Sequence, residues 1–173
     1  MSEVNLADLI RNIPDFPIPG IQFKDITTLL RDGRAFRQVV DTFAERYADR
    51  GIDAVVGVES RGFILSAPLA YRLGVGLVPV RKAGKLPKVA ASRTYQLEYG
   101  TATLELPADT VEPGTDVFLV DDVLATGGTA AAACDLVASA GGRVIGFGVL
   151  LEIDGLGGRE RLGDVPVHAL LTD

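Results

Sequence analysis

The stretch Val117-Phe118-Leu119-Val120-Asp121-Asp122-Val123-Leu124-Ala125-Thr126-Gly127-Gly128-Thr129 decides how the rest of the chain is read. Four apolar residues run into two adjacent carboxylates, then a Thr/Gly loop, then alanines at 130–133. The apolar run predicts a buried strand over 117–120, and 129–140 predicts a small-residue helix. Gly127 and Gly128 permit the positive φ of a tight loop. Thr126 and Thr129 supply hydroxyls, and Thr129 is placed to cap the helix. Exposed N–H groups at a helix start, with the helix dipole behind them, suit a phosphate dianion. Asp121 and Asp122 stand too close to such an anion to be its ligands; they suit sugar hydroxyls, directly or through a metal. Taken alone, a Gly-Gly-Thr turn also reads as a plain helix corner with a Thr cap and two solvated aspartates. The loop is neither a G-x-x-x-x-G-K-[ST] nor a G-x-G-x-x-G motif.

The same alternation extends outward in both directions. A β-branched run over 52–58 predicts a strand, and 62–73 a helix ending at Gly74. Further strands are expected at 75–80, 143–152 and 167–171. Phe36, Val39, Val40, Phe43 and Tyr47 stand at helical spacing, which predicts an amphipathic helix over 33–49. Strands alternating with helices imply a parallel sheet covered on both faces. Ligands of such sheets bind at the carboxyl ends of strands, here after residues 58, 80 and 120. Residues 3–12 predict a short helix, stopped by the proline-rich run over 14–20. Residues 94–106 predict a hairpin with strands at 95–98 and 102–105, turned at Tyr99-Gly100.

The chain has 173 residues, 47% of them hydrophobic and 23% charged, which predicts a single domain over 1–173 with a sizeable core. A net charge of −6 argues against nucleic acid as the main partner but leaves room for a small anionic ligand held locally. No apolar stretch reaches membrane-spanning length, and the acidic amino terminus lacks a signal-peptide h-region. With one cysteine there is no internal disulfide, so a cytoplasmic location is expected. Cys134 reads as a small buried hydrophobe and His168 as structural.

Two more segments carry charge at strand ends. Glu59-Ser60-Arg61-Gly62-Phe63 is another strand-end loop opening onto a helix, and Arg61 could grip phosphate oxygens bidentately. A helix-cap turn with a surface arginine is the alternative. Residues 82–95 carry Lys82, Lys85, Lys88 and Arg93 with no apolar periodicity, the mark of either a flexible lid or a solvated basic loop.

The block 117–129 resembles the phosphoribosyl pyrophosphate signature of type I phosphoribosyltransferases. Four further segments resemble the adenine-using branch of that family: Phe16-Pro17-Ile18-Pro19-Gly20-Ile21-Gln22-Phe23-Lys24-Asp25-Ile26, Gly57-Val58-Glu59-Ser60-Arg61-Gly62-Phe63, Arg81-Lys82-Ala83-Gly84-Lys85-Leu86-Pro87 and Leu97-Glu98-Tyr99-Gly100. The resemblance implies an α/β fold, a parallel sheet flanked by helices with a small hood over about 12–30 and a lid over about 82–95. It implies purine salvage: adenine and phosphoribosyl pyrophosphate give AMP and pyrophosphate with Mg²⁺, in a homodimer. It also implies that Ala125, Thr126, Gly127, Gly128 and Thr129 hold the 5′-phosphate, and that Asp121 and Asp122 hold the ribose. Glu59, Ser60 and Arg61 then form the pyrophosphate loop, with a cis Glu59–Ser60 peptide, assisted by Lys82 and Lys85. Ile21, Gln22, Phe23 and Lys24 hold the base, with Phe23 stacking on it, although the family usually has arginine at the Lys24 position. Glu98 assists proton movement on the purine. A 6-oxopurine or xanthine phosphoribosyltransferase and a ligand-sensing regulator on the same fold are the other readings.

Overall fold

The computed structural model describes residues 3–97 and 100–173. After a 3-10 turn at Leu6–Leu9 come β1 (Arg11–Pro14), β2 (Gln22–Asp25), α1 (Thr27–Arg31) and α2 (Gly33–Tyr47). Then follow β3 (Ala54–Val58), α3 (Gly62–Leu73), β4 (Gly76–Lys82), β5 (Val89–Gln96) and β6 (Thr101–Pro107). β7 (Asp116–Leu124) leads into α4 (Gly128–Ser139), and β8 (Arg143–Glu152), α5 (Gly158–Arg161) and β9 (Val167–Thr172) complete the described chain.

Seven strands form one sheet in the order β5-β6-β4-β3-β7-β8-β9. The run from β4 to β9 is parallel, as the alternation of apolar strands and helices predicts. β6 and β5 extend it antiparallel at one edge, so the whole sheet is mixed. Strand side chains alternate between faces. Val56, Leu119 and Val149 therefore pack with Leu136 and Val137 of α4. Val55, Phe118 and Leu150 pack on the other face with Val39 and Phe43 of α2 and Leu65 and Leu69 of α3. Each fully buried Leu or Phe contributes about 1.5–3 kcal/mol, so both helix layers are firmly seated on the sheet.

Three sequence expectations change. Residues 3–12 are not one helix, because only Leu6–Leu9 coil and the chain then extends into β1, which pairs with β2 in a separate two-stranded sheet. Residues 82–95 are not irregular chain: β4 runs to Lys82, and β5 pairs with β6 from Val89 onward. β5 is an exposed edge strand, so burial imposes no alternation for a sequence reading to find. β7 is longer than 117–120, because its pairing with β8 continues to Leu124 opposite Glu152. Among the described residues, no helix is long and apolar enough to cross a membrane.

Candidate active site

β3 and β7 are neighbours, and each ends in a loop that opens onto a helix. The first corner joins β7 to α4. Because β7 runs on, Asp121 and Asp122 lie within the strand rather than after it, and both are buried. Asp121 Oδ1 accepts the Asp122 N–H at 2.9 Å. Burial first, and then the Asp122 charge, push the Asp121 carboxyl well above the usual carboxylate range. Asp122 Oδ2 lies 2.7 Å from Arg61 Nε, an ion pair without hydrogen-bond alignment. Helix α3 can start against these carboxylates only because Gly62 has no side chain; a Cβ there would meet Asp121 Oδ1 and the Val120 carbonyl, each at 2.9 Å.

The N-cap of α4 is Gly127, with φ +77°, and among the described residues no side chain caps the helix. The expected Thr129 cap is absent: its Oγ1 donates instead to Tyr95 Oη at 3.1 Å. The first helical bond comes from Ala131 N–H to the Gly127 carbonyl, so the amides of Gly128, Thr129 and Ala130 have no acceptor within the helix. Ala125 and Thr126 lead half-buried into this turn. A Cβ on Gly127 would sit 2.6 Å from the Gly158 carbonyl. Arg161 Nη1 lies 3.9 Å from the point a Gly128 Cβ would occupy. Sequence reasoning singled out neither Tyr95 nor Arg161, since only tertiary packing brings β5 and α5 to the loop.

The second corner joins β3 to α3. The Glu59–Ser60 peptide is cis. The Glu59 carboxylate accepts the Lys82 N–H at 2.9 Å, Arg81 Nε at 3.2 Å and Lys85 Nζ. Burial pulls its pKa up, but the bonds from Lys85, Lys82 and Arg81 outweigh that and bring it down to about 2. Ser60 is exposed at the turn. Besides meeting Asp122, Arg61 places its guanidinium carbon 4.9 Å from the centroid of Phe23. One arginine thus joins the aspartate pair to the small β1–β2 sheet. Phe23 is half-buried there, with Phe16 edge-on at 5.1 Å, and does not enter the core. The Ile21 N–H donates to the Ile18 carbonyl, Gln22 lies opposite Pro14, and Lys24 Nζ pairs with Asp173.

The cations of 82–95 are not a mutually repelling set. Lys85 pairs with Glu59, Lys88 with Asp109 at 2.7 Å and Arg93 with Asp135 at 3.0 Å, while Lys82 lies exposed at the end of β4. Glu98 lies outside the described residues. No group of three or more His, Cys, Asp and Glu side chains gathers as a metal cage among the described residues. His168 is remote from these loops. It sits edge-on to Tyr47 beside a cavity of about 300 Å³ at the far end of β9, and burial lowers its pKa. Burial pushes the Cys134 thiol up to about 12, as suits an unreactive packed side chain.

Residues 25–167 match the phosphoribosyl transferase domain. The chain belongs to the phosphoribosyl transferase family. The adenine phosphoribosyltransferase of Chloroflexus aurantiacus is 61% identical over 171 residues, covering 99% of each chain. The solved adenine phosphoribosyltransferase of Rhodothermus marinus is 51% identical, with a TM-score of 0.92 over 97% of this chain and 96% of its own. That of Saccharomyces cerevisiae, solved with adenine and an imino-altritol bisphosphate, is 40% identical, with a TM-score of 0.90 over 96% of each chain. These likenesses place the chain among the adenine-using members of its family. Its two corners lie at the carboxyl ends of adjacent parallel strands, where such sheets bind ligands.

Proposed function

We propose that this chain serves purine salvage by moving the 5-phosphoribosyl group from phosphoribosyl pyrophosphate to adenine, giving AMP and pyrophosphate. The observation that carries the reading is the pair of buried carboxylates, Asp121 and Asp122, beside the uncapped start of α4. That pairing suits a molecule with hydroxyls a few bonds from a phosphate, as in a ribose 5-phosphate unit. The yeast relative, solved with adenine and a bisphosphate, supports the same ligand classes.

Bond formation at an anomeric carbon proceeds through an oxocarbenium-like transition state, so the protein's task is positioning and charge control. The amides at 127–130 and the Thr126 hydroxyl hold the 5′-phosphate. Asp122 holds the ribose hydroxyls and faces the developing positive charge. Asp121, kept toward its neutral form, can donate as well as accept a hydrogen bond. Arg61 and Lys85 leave Asp122 and Glu59 for the oxygens of the departing pyrophosphate, with Ser60 and Lys82 beside them. Ile21, Gln22 and Lys24 offer backbone groups to the adenine edge, Phe23 offers its ring, and Glu98 assists proton movement on the purine.

The donor set suits Mg²⁺ as a visitor brought by the substrate. Asp122 Oδ2 is buried and has no hydrogen-bond partner among the described residues. Mg²⁺ typically takes one or two carboxylates plus substrate phosphates, and Asp122 would supply that share. When bound, the ion neutralises charge on the leaving pyrophosphate.

The β1–β2 sheet serves as a hood and the turn between β4 and β5 as a lid. A cytoplasmic homodimer is part of the proposal; exposed Ile64, Tyr71 and Leu77 on α3 and β4 offer apolar surface to a second copy. The test is incubation with phosphoribosyl pyrophosphate, Mg²⁺ and each of adenine, hypoxanthine, guanine and xanthine, followed by nucleotide detection. AMP alone is expected. Turnover of a 6-oxopurine at a comparable rate would reject adenine as the dedicated base.

A further inference from the structure

We infer that Asp173 is a positioning residue for the purine, acting through Lys24. The inference rests on the reading of residues 21–24 as the base-holding segment. β2 belongs to the small sheet and among the described residues pairs only with β1, so the seven-stranded sheet does not fix its position through backbone bonds. Successive side chains of a strand point to opposite faces. Phe23 reaches Arg61 on one side of β2, and Lys24 reaches Asp173 on the other. β2 is therefore pinned from both faces.

The two pins differ in permanence. Arg61 also serves Asp122, and the proposed chemistry sends it to pyrophosphate. Asp173 has no such second duty. Its N–H donates to the Glu152 carbonyl at 3.0 Å, and its carbonyl accepts the Asp154 N–H at 2.9 Å. These bonds anchor its backbone to the end of β8. The Lys24 side chain is only 13% exposed, so its ammonium is held in place rather than left free in solvent. Adenine is neutral and carries no acid for that ammonium to meet. The Lys24 charge thus faces the protein, and what Lys24 offers the base is its backbone, held in place by the pair with Asp173.

The test compares Asp173→Asn, Asp173→Glu and Phe23→Ala in steady-state kinetics and thermal melting. Asp173→Asn is expected to raise KM for adenine about 3- to 5-fold, the upper range of a modest ion pair. KM for phosphoribosyl pyrophosphate and the melting temperature should hardly move. Asp173→Glu keeps the carboxylate and should stay within about twofold of the parent. An equal rise in both KM values, or no rise in that for adenine, overturns the assignment, as does a Glu variant no better than Asn. Phe23→Ala separates the two readings. If it raises KM for adenine and Asp173→Asn does not, only the positioning role falls. If neither does, the base-holding segment itself is misassigned.

Discussion

The β7–α4 and β3–α3 corners sit side by side at the carboxyl end of the sheet and build their halves of the site differently. The β7–α4 turn contains no charged side chain; its donors are backbone amides, aimed by a glycine with positive φ and left unsatisfied by the helix. The β3–α3 turn is rich in charge, yet its charges are already matched, Arg61 with Asp122 and Glu59 with Lys85 and Arg81. A backbone-built cradle needs no rearrangement to receive an anion. A side-chain-built one must exchange protein partners for ligand oxygens, and ligand drives that exchange only by its preference for the exchanged state. The first corner suits a phosphate that stays attached throughout; the second suits a group that departs.

The sharpest way to break the comparison is to damage the cradle without touching any charge. Gly127→Val demands positive φ of a β-branched residue and drives its Cβ to 2.6 Å from the Gly158 carbonyl. Ribose 5-phosphate affinity should fall by roughly 100-fold or more, because each of several charge-assisted amide bonds contributes about 1.5–3 kcal/mol. Pyrophosphate affinity, measured by the same calorimetry, should fall far less. Equal losses would mean that the corners do not divide the substrate between them.

Next comes Asp122→Asn, which keeps the shape and removes the charge facing the sugar. Loss of one preorganised electrostatic contact costs on the order of 10²–10³ in kcat. Stability should change by only about 1 kcal/mol, because Arg61 is 36% exposed and can turn to water. A collapsed melting temperature with parental turnover in the surviving folded fraction would make Asp122 a structural residue.

The division between the corners also explains what the sequence could disclose. The strand–acid–acid–loop–helix order of 117–129 was legible because apolar burial and loop glycines leave local traces. So was the alternation of strands and helices around it. The end of β7 was not, because Asp121 and Asp122 look like the end of an apolar run although pairing with β8 carries the strand past them. Thr129 looked like a cap because nothing local reveals Tyr95, 34 positions away in sequence. The ion pairs of residues 85, 88 and 93 are tertiary as well, so the segment read as a flexible lid or a solvated basic loop, although each of these three has an acidic partner. Ligand protection of these sites from trypsin should therefore concentrate at Lys82 and Lys85, near Glu59, rather than spread over the whole segment.

A third, smaller effect tests whether the hood shares the logic of the second corner. Phe23 lies under the Arg61 guanidinium, so the ring is shared between a protein cation and the proposed base. Phe23→Ala should weaken adenine by roughly 5- to 150-fold, the worth of a base stack of ~1–3 kcal/mol. Phosphoribosyl pyrophosphate should weaken by much less. Equal weakening of both would show that Phe23 supports Arg61 rather than the purine.

The smallest effect is one of pH, and it should separate a Glu59 variant from a Gly127 variant. The Glu59 carboxyl sits at about 2 against an ordinary 4.5, because the bonds from Lys85, Lys82 and Arg81 overcome the opposing effect of burial. The unfolded chain takes up this proton at higher pH than the folded one does. The stability that Glu59 supplies is therefore complete above about pH 4.5 and drains away as pH falls toward 2. Lys85 is 48% exposed and Arg81 34%, so solvent screens the pair and the contribution is on the order of 1 kcal/mol. For a chain of this size that is about 2–4 °C in Tm. Glu59→Gln should accordingly melt lower than the parent near neutral pH, with the gap closing as the solution is acidified. The amides of the β7–α4 corner do not titrate, so Gly127→Val should show a gap that pH leaves unchanged. A Glu59→Gln gap of constant size between about pH 6 and pH 3 would mean that the carboxylate is not held by its cations, and the contrast between a preformed corner and a partner-exchanging one would lose its electrostatic basis.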